Sequence, residues 1–312
     1  MSSFSFLSAL TFVRLRVKFE ALEPIELTDY PGSAFRSCLM EAMMGSVCAK
    51  RQKKICLDHC ELRYSCPWSV LFNSYSYPER TNFKKTPPPY ILEALNGDQK
   101  VFKKAEALGF DFTLIGAGIK YLAIVQLAFQ QMGDIGIGKG RAKFKFAGLE
   151  ALHTDLEYKA IAGYEQPDLI SLSNLKIPDI EQQLKIKFQI EFRTLVDNKF
   201  IESEIPFQLF LKRLTKRLSL LAYFHCNAAW TDVEEIHFPE NVAIVGLSTR
   251  NEHYERKTST MENRMMLDGP VGEITYSGDG LHDWMPLIAM GSWLHVGSTT
   301  SMGLGKYAIV EE

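Results

Sequence analysis

Apolar and charged positions alternate over residues 12–22, FVRLRVKFEAL, with Phe12, Leu15, Val17 and Phe19 set among charged neighbours. Alternation of this kind predicts a half-buried strand. After the turn residues Asp29, Pro31 and Gly32, apolar positions recur at helical spacing over 34–47. The second half begins the same way. KIKFQIEF over 185–192 alternates, Asp197-Asn198 makes a turn, and Pro206 precedes a helix to about Phe224. Proline is tolerated at a helix start because the first amides have no partner there.

The two halves also end alike. A strand over 110–118 leads to an apolar helix and then to the glycine-rich stretch 133–146, whose tail alternates again. A strand over 272–280 leads to MPLIAMGSWLHV and then to the glycine-rich stretch 297–310. Each half therefore reads strand, helix, strand, then strand, helix, glycine-rich loop, strand. Such a repeat predicts an α+β fold of two tandem ferredoxin-like (RRM-like) domains, the second carrying a C-terminal Gly-rich loop. The boundary is placed at 1–160 and 161–312, inside a polar, turn-rich junction over 150–183.

Composition narrows the classes. A chain of 312 residues that is 46% hydrophobic is long enough for two cores and too apolar for disorder. The longest uncharged run, 284–305, carries Pro286, His295 and four glycines, a poor membrane span, and the N-terminus lacks the pattern of a secretion signal. A cytoplasmic protein is expected, with no membrane partner. The net charge of −2 neither requires nor excludes nucleic acid, for which a local basic surface suffices.

Three patterns carry candidate chemistry. GIGKGR (136–141) and GLGK (303–306) are glycine-rich turns between helix and strand, where backbone amides can approach a phosphate. Neither has the Lys-Ser/Thr pair of a nucleotide-binding P-loop or the spacing of a dinucleotide fingerprint. The loop with Gly297, Ser298, Thr299, Thr300, Gly303, Gly305 and Lys306 is the denser of the two. Second, Cys48, Cys56, Cys60 and Cys66 place four thiols within nineteen residues, favouring a structural zinc knuckle. His59 could replace one thiol, an iron–sulfur cluster is an alternative, and reduced thiols without metal are the plain reading; Cys38 and Cys226 read as core. Third, Lys212, Arg213, Lys216 and Arg217 form a helical stripe, Lys139, Arg141, Lys143 and Lys145 alternate along a strand, and Arg250, Arg256, Lys257 and Arg264 precede the final module. Each is ordinarily a solvated face, but together they outline an RNA path. Tyr254, Tyr276 and Trp284 are candidates for stacking on bases.

The stretch from Arg256 through MENRMMLDGPVGEITYSG, MPLIAMGSWLHVGSTTSMGLGKYAIVE resembles the C-terminal module of the CRISPR repeat-processing endoribonucleases of the RAMP superfamily. The helix GSAFRSCLMEAMMGSVC, the cysteine cluster ending CPWSVLF and the turn GIGKGRAKF resemble the N-terminal module. The resemblance implies tandem ferredoxin-like folds and, as partners, CRISPR repeat RNA and further CRISPR effector subunits. It also implies metal-independent cleavage, in which the 2′-hydroxyl attacks the adjacent phosphate to leave a 2′,3′-cyclic phosphate. That chemistry needs proton transfer near neutral pH, which suits histidine. His295, two residues before Gly297, is the first candidate; His225, at the end of the basic helix, is the second, and His282 could assist. The family pattern is altered at several positions. Glu41 stands where many members have a histidine, Ser298 where a lysine is common, and Lys257, Thr260, Met261 and Asp268 where other residues are usual. The alternative is a non-catalytic subunit that holds the 3′ handle of a crRNA.

Overall fold

The computed structural model describes residues 4–27, 30–48, 60–73, 86–97, 99–162, 165–256 and 265–311, with the backbone alone for 254–256 and 265–266. It divides into two compact units, one of residues 11–170 and one of residues 1–10 with 171–312.

The first unit contains β1 (Thr11–Ala21), β2 (Ile25–Glu26), α1 (Pro31–Val47), α2 (Pro67–Phe72), β3 (Tyr90–Ala94), β4 (Val101–Phe102), β5 (Ala107–Ile115), α3 (Leu122–Ile135), β6 (Phe144–Leu152) and β7 (Tyr158–Ala160). Its sheet is antiparallel in the order β3-β5-β1-β6-β7, with β2 and β4 paired separately. The alternation in β1 has a physical outcome on each face. Leu15, Val17 and Phe19 join Phe35, Leu39 and Met43 of α1 and Val125, Phe129 and Met132 of α3 in one apolar core. Arg14 and Arg16, on the opposite face, meet carboxylates of neighbouring strands. Arg16 sits across from Asp111 in register and bonds it at 2.9 Å, while buried Arg14 bonds Asp111 at 3.0 Å and Glu93. Paired in this way, a buried charge avoids the full cost of desolvation.

Short strand β8 (Ile170–Ser171) marks the division between the units. It falls ten residues after the boundary expected at 160/161, because β8 pairs with β1 and so draws the chain up to Ile170 into the first unit. The second unit contains β9 (Gln183–Phe188), β10 (Leu195–Val196), β11 (Lys199–Phe200), α4 (Phe207–His225), β12 (Ala243–Arg256), β13 (Met265–Ser277), α5 (Met285–Leu294) and β14 (Tyr307–Val310). Its sheet is antiparallel in the order β12-β13-β9-β14. Phe4, Phe6 and Leu7 belong here, with the Phe4 ring 5.0 Å from Trp284.

Chain order and sheet order coincide in the two units. Strand one is central, strands two and three form a hairpin on one side, and strand four closes the other side. This is the ferredoxin-like arrangement, present twice. The Asp197-Asn198 turn also forms between β10 and β11, with both residues at positive φ, as a tight two-residue hairpin demands. Among the described residues no helix is long and apolar enough to cross a membrane.

Candidate nucleic-acid interface

The second unit's glycine-rich loop starts where α5 stops. His295 leaves the helix at φ 63°, and its amide still donates to the Gly291 carbonyl at 2.7 Å. Farther along, the Val296 amide donates to Gly305 at 3.1 Å, and the Gly305 amide to Glu191 at 2.9 Å. Gly305 is at φ 72°, and a Cβ on it would lie 1.7 Å from the Val296 carbonyl oxygen. Only glycine lets the two ends of the loop close this tightly.

That closure decides where the expected site residues lie. His295 is fully buried, with Nδ1 3.1 Å from the Leu304 carbonyl. A carbonyl only accepts, so Nδ1 carries the proton and the imidazole ties both ends of the loop together. His225 is also buried, at the end of α4 on the side of Leu218 and Leu221. The two histidines expected to transfer protons are thus held inside the second unit rather than offered to an RNA strand.

Arg217 departs from the expected basic stripe for the same reason. It lies seven residues after Phe210 and three after Leu214, both in the core, so helical geometry turns it inward. Its Nε donates to the carbonyls of Leu294 at 2.8 Å and His295 at 3.1 Å, bonding the end of α5 where the helix leaves carbonyls unpaired. Burial pulls its guanidinium down to about 9, still cationic at neutral pH. The rest of the stripe faces outward. Lys212 pairs with Glu234 at 2.6 Å, Arg213 donates to the Leu195 carbonyl at 2.7 Å, and Lys216 is exposed.

The accessible part of the loop is therefore narrow. Ser298 is exposed and Gly297, Thr299 and Ser301 are partly so, whereas Thr300, Gly303 and Gly305 are buried. The amides of Ser298, Met302, Gly303 and Gly305 already bond to carbonyls of Arg193, Thr299, Thr300 and Glu191. Lys306 is half-buried, and its carbonyl accepts from the Gln189 and Ile190 amides. Tyr276 and Trp284, candidates for base stacking, are core residues; Tyr276 donates to the Ile205 carbonyl and Trp284 stacks on Phe238. Nothing beyond the backbone is described for Tyr254 and Arg256, and Lys257 and Arg264 lie outside the described residues.

One cation beside the loop escaped the sequence patterns. The Arg193 carbonyl accepts from the Ser298 amide at 2.9 Å and hydroxyl at 3.0 Å, and its Nη1 donates to Ser298 Oγ at 3.2 Å. Its guanidinium lies 4.0 Å over the Phe200 ring, and burial pulls it below its ordinary value while Asp268 acts the other way. A lone arginine in an irregular segment has no periodicity to reveal it.

In the first unit, Arg141 forms a two-pronged pair with Glu41 at 2.9 and 3.0 Å, Lys139 pairs with Glu26 at 2.5 Å, and Lys145 with Glu20 at 2.9 Å. These pairs are exposed and hence weak, so a phosphate can compete for the cations. Cys48, Cys60 and Cys66 are half-buried free thiols, and Cys66 immediately precedes α2. Cys56 and His59 lie outside the described residues. Among the described residues no three His, Cys, Asp or Glu side chains gather as a metal site. Cys38 is core, its thiol pushed up to about 12 by burial and, secondarily, by Glu41.

The duplicated fold agrees with the comparisons. Residues 10–173 match the AF_1859_N family model, an N-terminal domain, and residues 187–307 match the model of the CRISPR-associated endoribonuclease Cas6. The chain belongs to the AF_1859_N family through its first unit, and its second unit is similar to Cas6. Among solved structures, a chain of a partial Cas6-RT-Cas1–Cas2 complex matches with a TM-score of 0.60 at 13% identity, covering 97% of this chain and 46% of that one. A second Cas6-RT-Cas1–Cas2 chain matches with the same score and identity and is covered over 29% of its length, so this chain spans less than half of both. A Cas6 product complex matches with a TM-score of 0.54 at 14% identity, covering 97% of this chain and 100% of that one. Identities this low speak for the fold alone. No curated protein matches the sequence.

Proposed function

We propose that this protein is a Cas6-type endoribonuclease that binds the repeat of a CRISPR transcript and cuts it without a metal ion, the 2′-hydroxyl attacking the adjacent phosphate. The carrying observation is the solvent-facing corner of the second unit, where Ser298 and its neighbours stand beside the Arg193 guanidinium. A cation and hydroxyl groups on a rigid loop suit a ribose-phosphate strand, because phosphate contacts supply most nucleic-acid affinity. Lys216 is a further exposed cation of the second unit; in the first unit, taken by itself, Lys139 and Arg141 are cations that would exchange their carboxylate partners for phosphate.

A second reading rests on a different observation. Burial of both His295 and His225 favours a subunit that holds the 3′ handle of a crRNA without cutting it, alongside other CRISPR effector subunits. Incubating the protein with a repeat transcript in EDTA separates the two. Release of a 2′,3′-cyclic phosphate and a 5′-hydroxyl supports cleavage; retention of intact RNA supports the binding subunit; no retention in low salt refutes both.

A further inference from the structure

The β12–β13 hairpin carries a histidine–carboxylate pair that the loop histidines do not resemble. His253 and Asp268 face each other across the two strands, with Nδ1 of the imidazole 2.9 Å from Oδ1 of the carboxylate. His253 is well exposed, its side chain at 58%, while Asp268 is sheltered at 20%. An ionised carboxylate only accepts, so it holds the proton on Nδ1 and leaves Nε2 as a lone-pair acceptor. An oriented, accessible imidazole of this kind is suited to proton transfer.

The pair stands beside the accessible corner of the loop. Next to Asp268, a Cβ on Gly269 would lie 2.8 Å from the Phe192 carbonyl and 3.2 Å from the Arg193 amide nitrogen. The Phe192 amide donates to the Pro270 carbonyl at 3.1 Å. The strand thus runs directly against residues 192 and 193, and Arg193 in turn bonds Ser298 through main chain and side chain. Two sheltered polar atoms at this junction, Nε of Arg193 and Oδ1 of Asn251, have no hydrogen-bond partner among the described residues. Buried polar groups are nearly always paired, so unpaired ones beside an exposed acid–base pair point to a polar ligand. The other charges on this stretch of β12, Arg250 and Glu252, are bonded to each other.

We infer that His253, oriented by Asp268 and flanked by Arg193 and Ser298, is the proton-transfer group of this protein's RNA cleavage. The inference rests on the cleavage reading above. In the step, the 2′-oxygen forms its bond to phosphorus as its proton passes to Nε2 of His253. The bond from phosphorus to the 5′-oxygen breaks, and that oxygen takes a proton from water. The resulting hydroxide recovers the proton held by the imidazolium, so no proton is gained or lost overall. Arg193 faces the charge that develops on the phosphorane.

The test is single-turnover cleavage of a transcript of the host's CRISPR repeat in EDTA, titrating protein to separate the maximal rate from half-saturation. His253→Ala is expected to lower the maximal rate about 10²- to 10⁴-fold while moving half-saturation by less than about threefold. Asp268→Asn should lower the maximal rate as well, and Asp268→Glu should recover part of it, which a merely structural carboxylate would not show. Thermal melting of each variant confirms folding, undemanding here because His253 is at the surface. An unchanged maximal rate for folded His253→Ala overturns the inference and leaves the cleavage reading standing. Retention of RNA by the wild type without any cyclic phosphate overturns the inference and the cleavage reading together, leaving the binding subunit.

Discussion

Replacing Arg217 by methionine distinguishes a buried helix anchor from a phosphate contact. Methionine keeps most of the volume and removes the cation, leaving the Leu294 and His295 carbonyls without their shared donor. A hydrogen bond to a charged group contributes about 1.5–3 kcal/mol, and an orphaned buried acceptor costs about 1–3 kcal/mol. Two offsets reduce the sum. The variant no longer buries a guanidinium, and Nη2 of Arg217 has no partner among the described residues to lose. A net loss of about 2–4 kcal/mol follows. For a unit of this size that corresponds to a fall in Tm of roughly 6–12 °C. The RNA assay supplies the complementary number. A cation that neutralises one phosphate contributes about 0.7 to the slope of log affinity against log salt on single-stranded RNA. Arg217→Met should therefore leave that slope unchanged while lowering Tm, whereas Lys216→Ala should lower the slope and leave Tm alone. A lower slope with an unaltered Tm for Arg217→Met would refute the anchoring role.

His295→Ala removes the bond to Leu304 and should cost about 2–3 kcal/mol, weakening RNA retention only through the loop; lost cleavage at an unaltered Tm would return His295 to proton transfer. Gly305→Ala should destabilise by more than about 2 kcal/mol in urea titration, because its Cβ would meet the Val296 carbonyl at 1.7 Å. Gly280→Ala, at φ 78° with no atom within 4 Å of its Cβ, should cost only about 1 kcal/mol, and equal losses at both sites would refute the close-approach account. Metal analysis of purified protein tests the zinc expected at Cys48, Cys56, Cys60 and Cys66, which would appear as about one ion per chain. Its absence would assign them as reduced thiols.

The tandem repeat was legible from the chain alone. Alternation in residues 12–22 and 185–192, helical spacing in 34–47 and 207–224, and the Asp197-Asn198 turn are local signals, set by which side of a strand or helix each residue occupies. Even Arg217 was readable in part, since counting seven back to Phe210 places it on the buried face. What a run of residues does not contain is the identity of its distant neighbour. His295 points inward because Gly305 closes the loop onto Val296 and brings the Leu304 carbonyl within 3.1 Å, a contact made only once β14 has paired with β9. The hairpin shows the same limit more sharply. Pairing starts with Ala243 opposite Ser277, and an irregularity at Val245 then shifts it by one, so that His253 meets Asp268 rather than Leu267. A one-residue slip exchanges the faces of a strand, so this bulge determines whether the imidazole stands beside a carboxylate or a leucine. Periodicity is a property of the local backbone, whereas register belongs to two strands at once, and the acid–base pair depends on register.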